Sequence, residues 1–331
     1  MRYLAAADTI AAMPPLAEQL RLAEAALMSI GAGAEVPGKS SVHPRPQSSI
    51  AYAMPANLTQ ALAGVRPAFG MKWVTVFPDN HASSLPAIDG LIVLNDPDTL
   101  ATTALMAASA ITAARTAAVS GVAFARLVGE TSGRPTRVGL IGAGAQGRSH
   151  LPVLGHVAPQ LDLAIWDRDR GRAEHVGEIA RGIAGIGSVA VVGTAQAAVD
   201  GCDVIITATS FGPVRQVMPI DWLSRDALVI AVDYDMYASA ALAESSVAFL
   251  VDEIAGFENS RRDGRFTGFP DATGTIGAFL RAGTPRPPGR VLVAHLGMGL
   301  SDLLFGVSIL DRAAELGLGI ILPNTEVGQG W

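Results

Sequence analysis

Residues 137–147 read RVGLIGAGAQG: an apolar stretch runs into Gly142-Ala143-Gly144-Ala145-Gln146-Gly147 and then into a segment of helical spacing. This is the pattern of a strand, a tight turn and a helix N-terminus that holds a dinucleotide pyrophosphate. Gly142 permits the turn, Gly144 lets the backbone approach the phosphates, and Gly147 lets the helix pack closely on the strand. Ala145 and Gln146 complete the loop, where free N–H groups and the helix dipole favour an anion. The next apolar run, LDLAIWD, ends on Asp167, at the expected distance of about twenty residues. A carboxylate there accepts ribose hydroxyls and repels a 2′-phosphate, which favours NAD. The adjacent Arg168 is able to serve a 2′-phosphate, so NADP stays open.

Beyond the loop, strands and helices alternate. Strands are expected at Arg137–Ile141, Asp162–Trp166, Val189–Val192, Val204–Thr207, Leu228–Val232, Val247–Val251 and Val291–His295, and helices at Gln146–Val157 and Arg170–Gly182. Such alternation implies α/β architecture, a Rossmann-type doubly wound parallel sheet covered by helices. Upstream the spacing predicts a helix over 9–29, with Pro14-Pro15 near its start, and an irregular segment Val36–Gln47. Strands follow at Ile50–Met54, Ala68–Val76 and Leu91–Leu94. Asn95-Asp96-Pro97-Asp98 supplies turn chemistry for a hairpin onto Thr102–Met106, and a helix covers Ala108–Val128. This part is an α+β domain, to which a closing helix at Asp302–Leu316 returns.

The chain has 331 residues, with 24 Lys and Arg against 30 Asp and Glu, a net charge of -6 and 5% aromatic residues. That balance lacks the basic surface and stacking platforms of nucleic-acid binding. Half of the residues are hydrophobic, so the chain can bury a large core. The one cysteine, Cys202, excludes an internal disulfide and fits a buried, inert thiol in a reducing compartment. The first twenty residues lack a secretory pattern, and the apolar stretch Thr102–Val128 carries Arg115 and Arg126. A soluble cytoplasmic protein without a membrane partner is expected. His150 and His156 are six apart, not the spacing of ligands on one helix face, and no metal site is expected.

Several segments together resemble the ornithine cyclodeaminase/mu-crystallin family: GMKWVTVFPDN (70–80), GLIVLNDPDT (90–99), ITAARTAA (111–118), VGLIGAGAQGRSH (138–150), DVIITATS (203–210) and GMGLSD (297–302). The resemblance covers about residues 36–310 in order. It implies a substrate-binding and dimerisation domain (1–115 with 305–331), an NAD(P)-binding Rossmann domain (116–304) and a homodimer. It also implies hydride exchange between nicotinamide and a carbon that bears nitrogen next to a carboxylate. The family holds amino-acid dehydrogenases, ketimine and other imine reductases, cyclodeaminases, and mu-crystallins that bind nucleotide.

Residue by residue, the resemblance places Lys72 of GMKW at the substrate, where an ammonium binds the carboxylate or shifts a proton. Arg115 matches an arginine whose planar fork suits carboxylate capture, and Thr116 beside it is placed at the cofactor phosphates. Thr112, Arg115, Thr116 and Val119 share one helical face. Thr209 and Ser210 match the segment beside the nicotinamide ribose, and Val232 joins the cofactor set. The family's AVGGD pattern stands here as Ala231-Val232-Asp233-Tyr234-Asp235, so Asp235 takes the place of the catalytic carboxylate that activates water or takes an amine proton; Asp233 is the other candidate. Asp235 is alternatively a loop acid capping a helix over 236–243.

Departures bear on the substrate. Asp233 and Tyr234 replace both glycines of that pattern, and Tyr237-Ala238-Ser239 replaces the Gly-Lys that follows. The family's first carboxylate-binding arginine falls at Lys39, or else at Arg45. Asp79 and Asp89 lack the spacing of a dedicated acid for a second amine. Tyr234, Tyr237 and Trp73 fit either an aromatic substrate or packing. His43 and His295 are either site acids and bases or satisfied structural histidines. The leading expectation is an NAD(H)-linked amino-acid dehydrogenase or imine reductase. Its alternatives are a cyclodeaminase that releases ammonia and recycles NAD, and a non-catalytic nucleotide-binding subunit.

Overall fold

Pro14-Pro15 breaks the first expected helix in two. In the computed structural model, which describes residues 1–323 apart from 46–48, 63, 78, 81–84, 132, 213 and 216, strand β1 (Arg2–Leu4) leads into α1 (Ala6–Ala11) and, after the prolines, α2 (Leu16–Ser29). Proline lacks an N–H and clashes with the preceding turn, so it opens α2 at Pro15 and cannot sit within one continuous helix. Short strands β2 (Ala34–Glu35) and β3 (Ser40–Val42) follow, so Val36–Gln47 is not wholly irregular; its residues 46 and 47 lie outside the described residues. Strand β4 (Ile50–Leu58) runs four residues beyond Met54 and passes through Pro55. Pro55 fits because β3 pairs with residues 51–53 and β2 with residues 57–58, so it faces a gap between them.

Strands β5 (Ala68–Val76), β6 (Ile88–Asn95) and β7 (Thr102–Ala107) form a meander, with Asp96 accepting the N–H groups of Asp98 and Thr99 in the expected turn. On β5 the alternation is plain: Ala68, Gly70, Lys72 and Val74 are buried, and the residues between them are not. Helix α3 (Ser109–Leu127) follows.

The chain divides into two compact units, Met1–Arg115 with Met298–Trp331, and Thr116–Gly297. The second unit contains β8 (Arg137–Ile141), α4 (Ala145–Val157), β9 (Leu161–Trp166), α5 (Arg170–Arg181), β10 (Ile186–Val191), α6 (Ala195–Val199), β11 (Val204–Thr207), β12 (Leu228–Ala231), α7 (Ala240–Ser245), β13 (Ala248–Val251), α8 (Ile254–Arg262), β14 (Gly274–Thr275), α9 (Ile276–Ala282) and β15 (Val291–Ala294). Its sheet is parallel throughout, in the order β10-β9-β8-β11-β12-β15-β13-β14. Order therefore reverses between β8 and β11, the switch point at which doubly wound sheets bind ligands at their carboxyl ends. The inner strands β11, β12, β13 and β15 are buried at every residue, as apolar runs in a covered parallel sheet should be.

The chain then returns to the first unit as α10 (Gly299–Glu315) and β16 (Ile320–Ile321). That unit's sheet has the order β16-β1-β7-β6-β5-β4-β2, with β3 also on β4. Helix α10 packs on β4, β5, β6 and α2 and buries Leu300, Leu303, Leu304, Phe305 and Ile309. The other face of the sheet leaves Trp73 and Leu91, register partners on β5 and β6, 39% and 40% exposed.

Candidate active site

The expected site residues form one group in each unit. In the second, Gly142 has φ +104°, and a Cβ there would meet the Ala208 carbonyl at 2.5 Å. A Cβ on Gly147 would stand 2.0 Å from the Gly142 carbonyl, so helix and turn touch backbone to backbone. Gly144 is the N-cap of α4 and supplies no side-chain cap, and a Cβ built on it would point into open space. The first-turn N–H groups of α4 are thus available to an anion beside a clear approach. Asp167 accepts the N–H of Ala143 at 2.7 Å and of Asp169 at 2.8 Å, which ties the end of β9 to the glycine loop. Arg168 is exposed.

Beyond β11, Asp233 gathers the segment expected at the nicotinamide ribose. Its carboxylate takes the hydroxyl of Thr207 and that of Thr209, each at 2.6 Å, and the N–H of Thr209 at 3.1 Å. Burial pushes Asp233 up to about 6, against these hydrogen bonds, which favour its ionised form. Ser210 is exposed, Val232 is half-buried with its N–H on the Thr207 carbonyl, and Thr116 is buried on α3.

Asp235 is also buried. Arg215 pairs with its Oδ2 at 2.9 Å, the Phe266 N–H donates to the same oxygen at 2.9 Å, and Arg265 lies 3.9 Å from Oδ1. Oδ1 has no hydrogen-bond partner among the described residues. An acceptor left open in a buried place calls for a donor from elsewhere. Asp235 does not cap α7, whose cap is Ser239.

Tyr234 has φ +62°, in the left-handed region that glycine enters freely. Its ring stacks on Phe266 at 5.8 Å and meets Phe211 edge-on at 5.0 Å, and its hydroxyl donates to the Leu296 carbonyl at 3.1 Å. Packing thus compensates the strained backbone. Tyr237 is likewise a packing residue, buried and edge-on to Trp166. Burial pushes the Cys202 thiol up to about 12, which leaves it inert.

In the first unit Lys72 and Arg115 share one buried carboxylate. Lys72 Nζ lies 2.6 Å from Asp302 Oδ2, and Arg115 Nε lies 3.1 Å from Asp302 Oδ1. Two cations against one anion leave an excess of positive charge, and among the described residues the terminal nitrogens of Arg115 make no hydrogen bond. Burial pushes Lys72 down to about 7; Asp302 opposes this and Arg115 adds to it. Asp302 escaped singling out in the sequence, although it ends the GMGLSD segment. Lys39 stands over the Tyr52 ring and adds its charge to the field at Lys72. Arg45 is exposed over the Phe77 ring and takes no part in this cluster. Asp79, Asp89 and His43 are exposed, whereas His295 is buried in the second unit. Trp73 points to the opposite face of β5 from Lys72.

A profile of the ornithine cyclodeaminase/mu-crystallin family matches residues 3–248. The chain belongs to that family. It is 32% identical to the nodulation efficiency protein NfeD of Rhizobium meliloti, over 97% of this chain and 98% of that one. It is 30% identical to an L-lysine cyclodeaminase of Streptomyces rapamycinicus, over 75% of this chain and 73% of that one. An archaeal alanine dehydrogenase dimer solved with bound NAD superposes with a TM-score of 0.82 at 22% identity, over 98% of this chain and 99% of that one, and so shares the fold. Among the described residues no group of three His, Cys, Asp or Glu is placed to hold a metal, and no helix is long and apolar enough to cross a membrane.

Proposed function

We propose that this ornithine cyclodeaminase-family chain is an NAD(H)-dependent amino-acid dehydrogenase or imine reductase, working at a nitrogen-bearing carbon next to a carboxylate. The observation that carries this reading is the buried Lys72–Asp302–Arg115 cluster, whose two cations face one anion and so leave one positive charge unmatched. An excess buried charge is costly without a counter-ion, so this cluster favours an anionic ligand. The open terminal nitrogens of Arg115 fit bidentate capture, with Lys72 as a second contact and Lys39 adding positive field.

The residues present fit a dinucleotide: α4 lacks a side-chain cap, Gly144 leaves a clear approach, and a carboxylate closes β9. Gly142, Gly144, Ala145, Gln146 and Gly147 would hold the pyrophosphate, Asp167 the adenosine ribose, and Thr116, Thr209, Ser210 and Val232 the remainder. NAD fits Asp167 better than NADP, with the exposed Arg168 as the group that would admit NADP. Bound there, NAD would supply the hydride acceptor for that carbon, and NADH the hydride donor for the reverse reaction. Asp235 Oδ1 is the open acceptor that would orient the amine or an attacking water.

The test is a panel of amino acids, and of keto acids with ammonia or amines, followed by NADH absorbance with ammonia measured in parallel. Turnover with net NADH change supports the reading; cofactor binding with no turnover overturns it. The 30% identity to a lysine cyclodeaminase favours a second reading, cyclodeamination, in which ammonia appears without net NADH.

The same proposal takes the chain as a homodimer through the exposed sheet face that carries Trp73 and Leu91, in a reducing compartment such as the cytoplasm, which suits its one buried thiol. Sedimentation of Trp73→Glu would show a monomer where the parent shows a dimer.

A further inference from the structure

One buried acid of the second unit is held by neutral groups alone. Asp233 stands where the family pattern has glycine and is 2% exposed. Its oxygens take the Thr207 hydroxyl at 2.6 Å, the Thr209 hydroxyl at 2.6 Å and the Thr209 N–H at 3.1 Å. Among the described residues no cation pairs with it.

The charged and titratable groups on the elements around it do not supply a counter-ion. Asp235, two residues on, is held by Arg215 and lies 3.9 Å from Arg265. His295, past β15, bonds to Ser120, and Asp252, past β13, takes the Gly297 N–H. The Tyr237 hydroxyl feels Asp233 from one side and Asp167 with Arg168 from the end of β9. Burial pushes Asp233 up to about 6, so near neutral pH it is still ionised for the most part. A buried anion without a counter-ion is costly and favours a cation brought from outside.

The place of this acid in the sheet names the cation. Strands β9 and β10 lie on one side of β8, and β11 and β12 on the other. Asp167 closes β9, which assigns the adenosine half of a dinucleotide to that side and the nicotinamide half to the carboxyl ends of β11 and β12. Thr207 is the last residue of β11, and Asp233 lies two residues past β12. The Thr209 nitrogen that donates to Asp233 also borders the glycine turn, since a Cβ on Gly142 would stand 3.0 Å from it. All of these residues belong to the second unit. Of the two redox forms of the cofactor, only the oxidised one has a positively charged nicotinamide ring.

We propose that the buried Asp233 carboxylate makes this protein bind NAD more tightly than NADH, by serving as counter-ion to the oxidised ring. This rests on the NAD(H) reading above. The pyrophosphate repels the carboxylate to the same extent in both redox forms, so it drops out of the comparison between them. The consequence is directional. In imine reduction the C–H pair of the dihydropyridine becomes the new C–H bond at carbon, and the C=N π pair becomes a lone pair on nitrogen, which takes a proton from solvent. The ring gains a positive charge in that step, and a fixed buried anion stabilises it. Asp233 therefore tips the exchange on the protein toward hydride donation.

The test is the ratio of two dissociation constants, Kd for NADH over Kd for NAD, measured by titration calorimetry on the full chain from pH 5 to 8. Asp233→Asn keeps the shape and an acceptor for the threonines but carries no charge. Near pH 7.5 the ratio should be about tenfold larger in the parent than in this variant. A merely structural loss at Thr209 weakens both redox forms alike and leaves the ratio unmoved. In the parent the ratio should be level on the alkaline side and shrink as pH falls through about 6, where the acid takes up a proton. A parent ratio less than about threefold above that of Asp233→Asn overturns the proposal. Should the variant fail to fold, the parent alone decides: a ratio that shrinks toward pH 5 supports the role, and one that is the same at pH 5 and 7.5 overturns it. A parent that binds neither nucleotide sinks the NAD(H) reading itself, whereas a parent that binds both with the variant's ratio sinks only the role of Asp233.

Discussion

Lys72 Nζ lies 2.6 Å from Asp302 Oδ2, and both side chains are shut away from solvent. Burial holds Lys72 down to about 7 despite that partner. The sign for ligand binding follows. Below about pH 7 the ammonium is charged and contributes to carboxylate capture; above it the charge is lost and capture weakens. The KM of an anionic substrate should therefore be flat on the acid side and rise up to ~10-fold per pH unit above that point, until the pKa of the complex is passed. Steady-state kinetics from pH 6 to 9 check this. Lys72→Arg, which keeps its charge throughout, should flatten the curve.

Asp302 is the counter-ion of two buried cations, so Asp302→Asn leaves both unpaired. Removing one partner of a buried ion pair costs about 3–5 kcal/mol. The variant should be destabilised on that scale in urea unfolding. Adding Lys72→Met should return part of the loss, since one of the two stranded charges goes with it. A double-mutant cycle measures that coupling. Independent, additive losses would contradict a shared cluster.

What the sequence disclosed and what it hid divide by distance along the chain. The glycine loop, Asp167 and the strands around them are set within thirty or so residues by local turn chemistry and periodicity, and β5 and β8 lie at their expected bounds. Asp302 reaches Arg115 across 187 residues, and His295 reaches Ser120 across 175, so no local pattern shows either contact. Pro14-Pro15 was visible, yet a helical apolar spacing continued on both sides, and the backbone donor that proline lacks decided the break. Tyr234 shows the converse. A tyrosine stands where the family pattern has glycine and fits either an aromatic substrate or packing by sequence alone; the backbone still takes the left-handed turn, and the ring packs on Phe211 and Phe266.

Asp167 links the glycine loop to the proposed ribose contact, so its charge should govern the choice of cofactor. In Asp167→Asn the shape is kept and the repulsion of a 2′-phosphate is removed. NADH affinity should fall about tenfold or more, through the lost charge-assisted hydrogen bonds, and the preference for NADH over NADPH should narrow by a similar factor. Fluorescence titration with each reduced cofactor measures both. An unchanged preference would move discrimination elsewhere, with Arg168 as the next residue to change.

Asp235 presents one buried oxygen without a hydrogen-bond partner among the described residues while its other oxygen is held by Arg215 and the Phe266 N–H. That division of labour lets the fold anchor the carboxylate by Oδ2 and leave Oδ1 for a substrate amine or water. Asp235→Asn preserves size but cannot hold a positive amine or activate water. Its kcat should drop by about two to four orders of magnitude, with NADH affinity within about threefold, because the glycine loop and Asp167 are untouched. A loss shared equally between cofactor affinity and kcat would instead mean that Asp235 supports the fold of the β12 end. A kcat equal to the parent's would remove it from the reaction altogether.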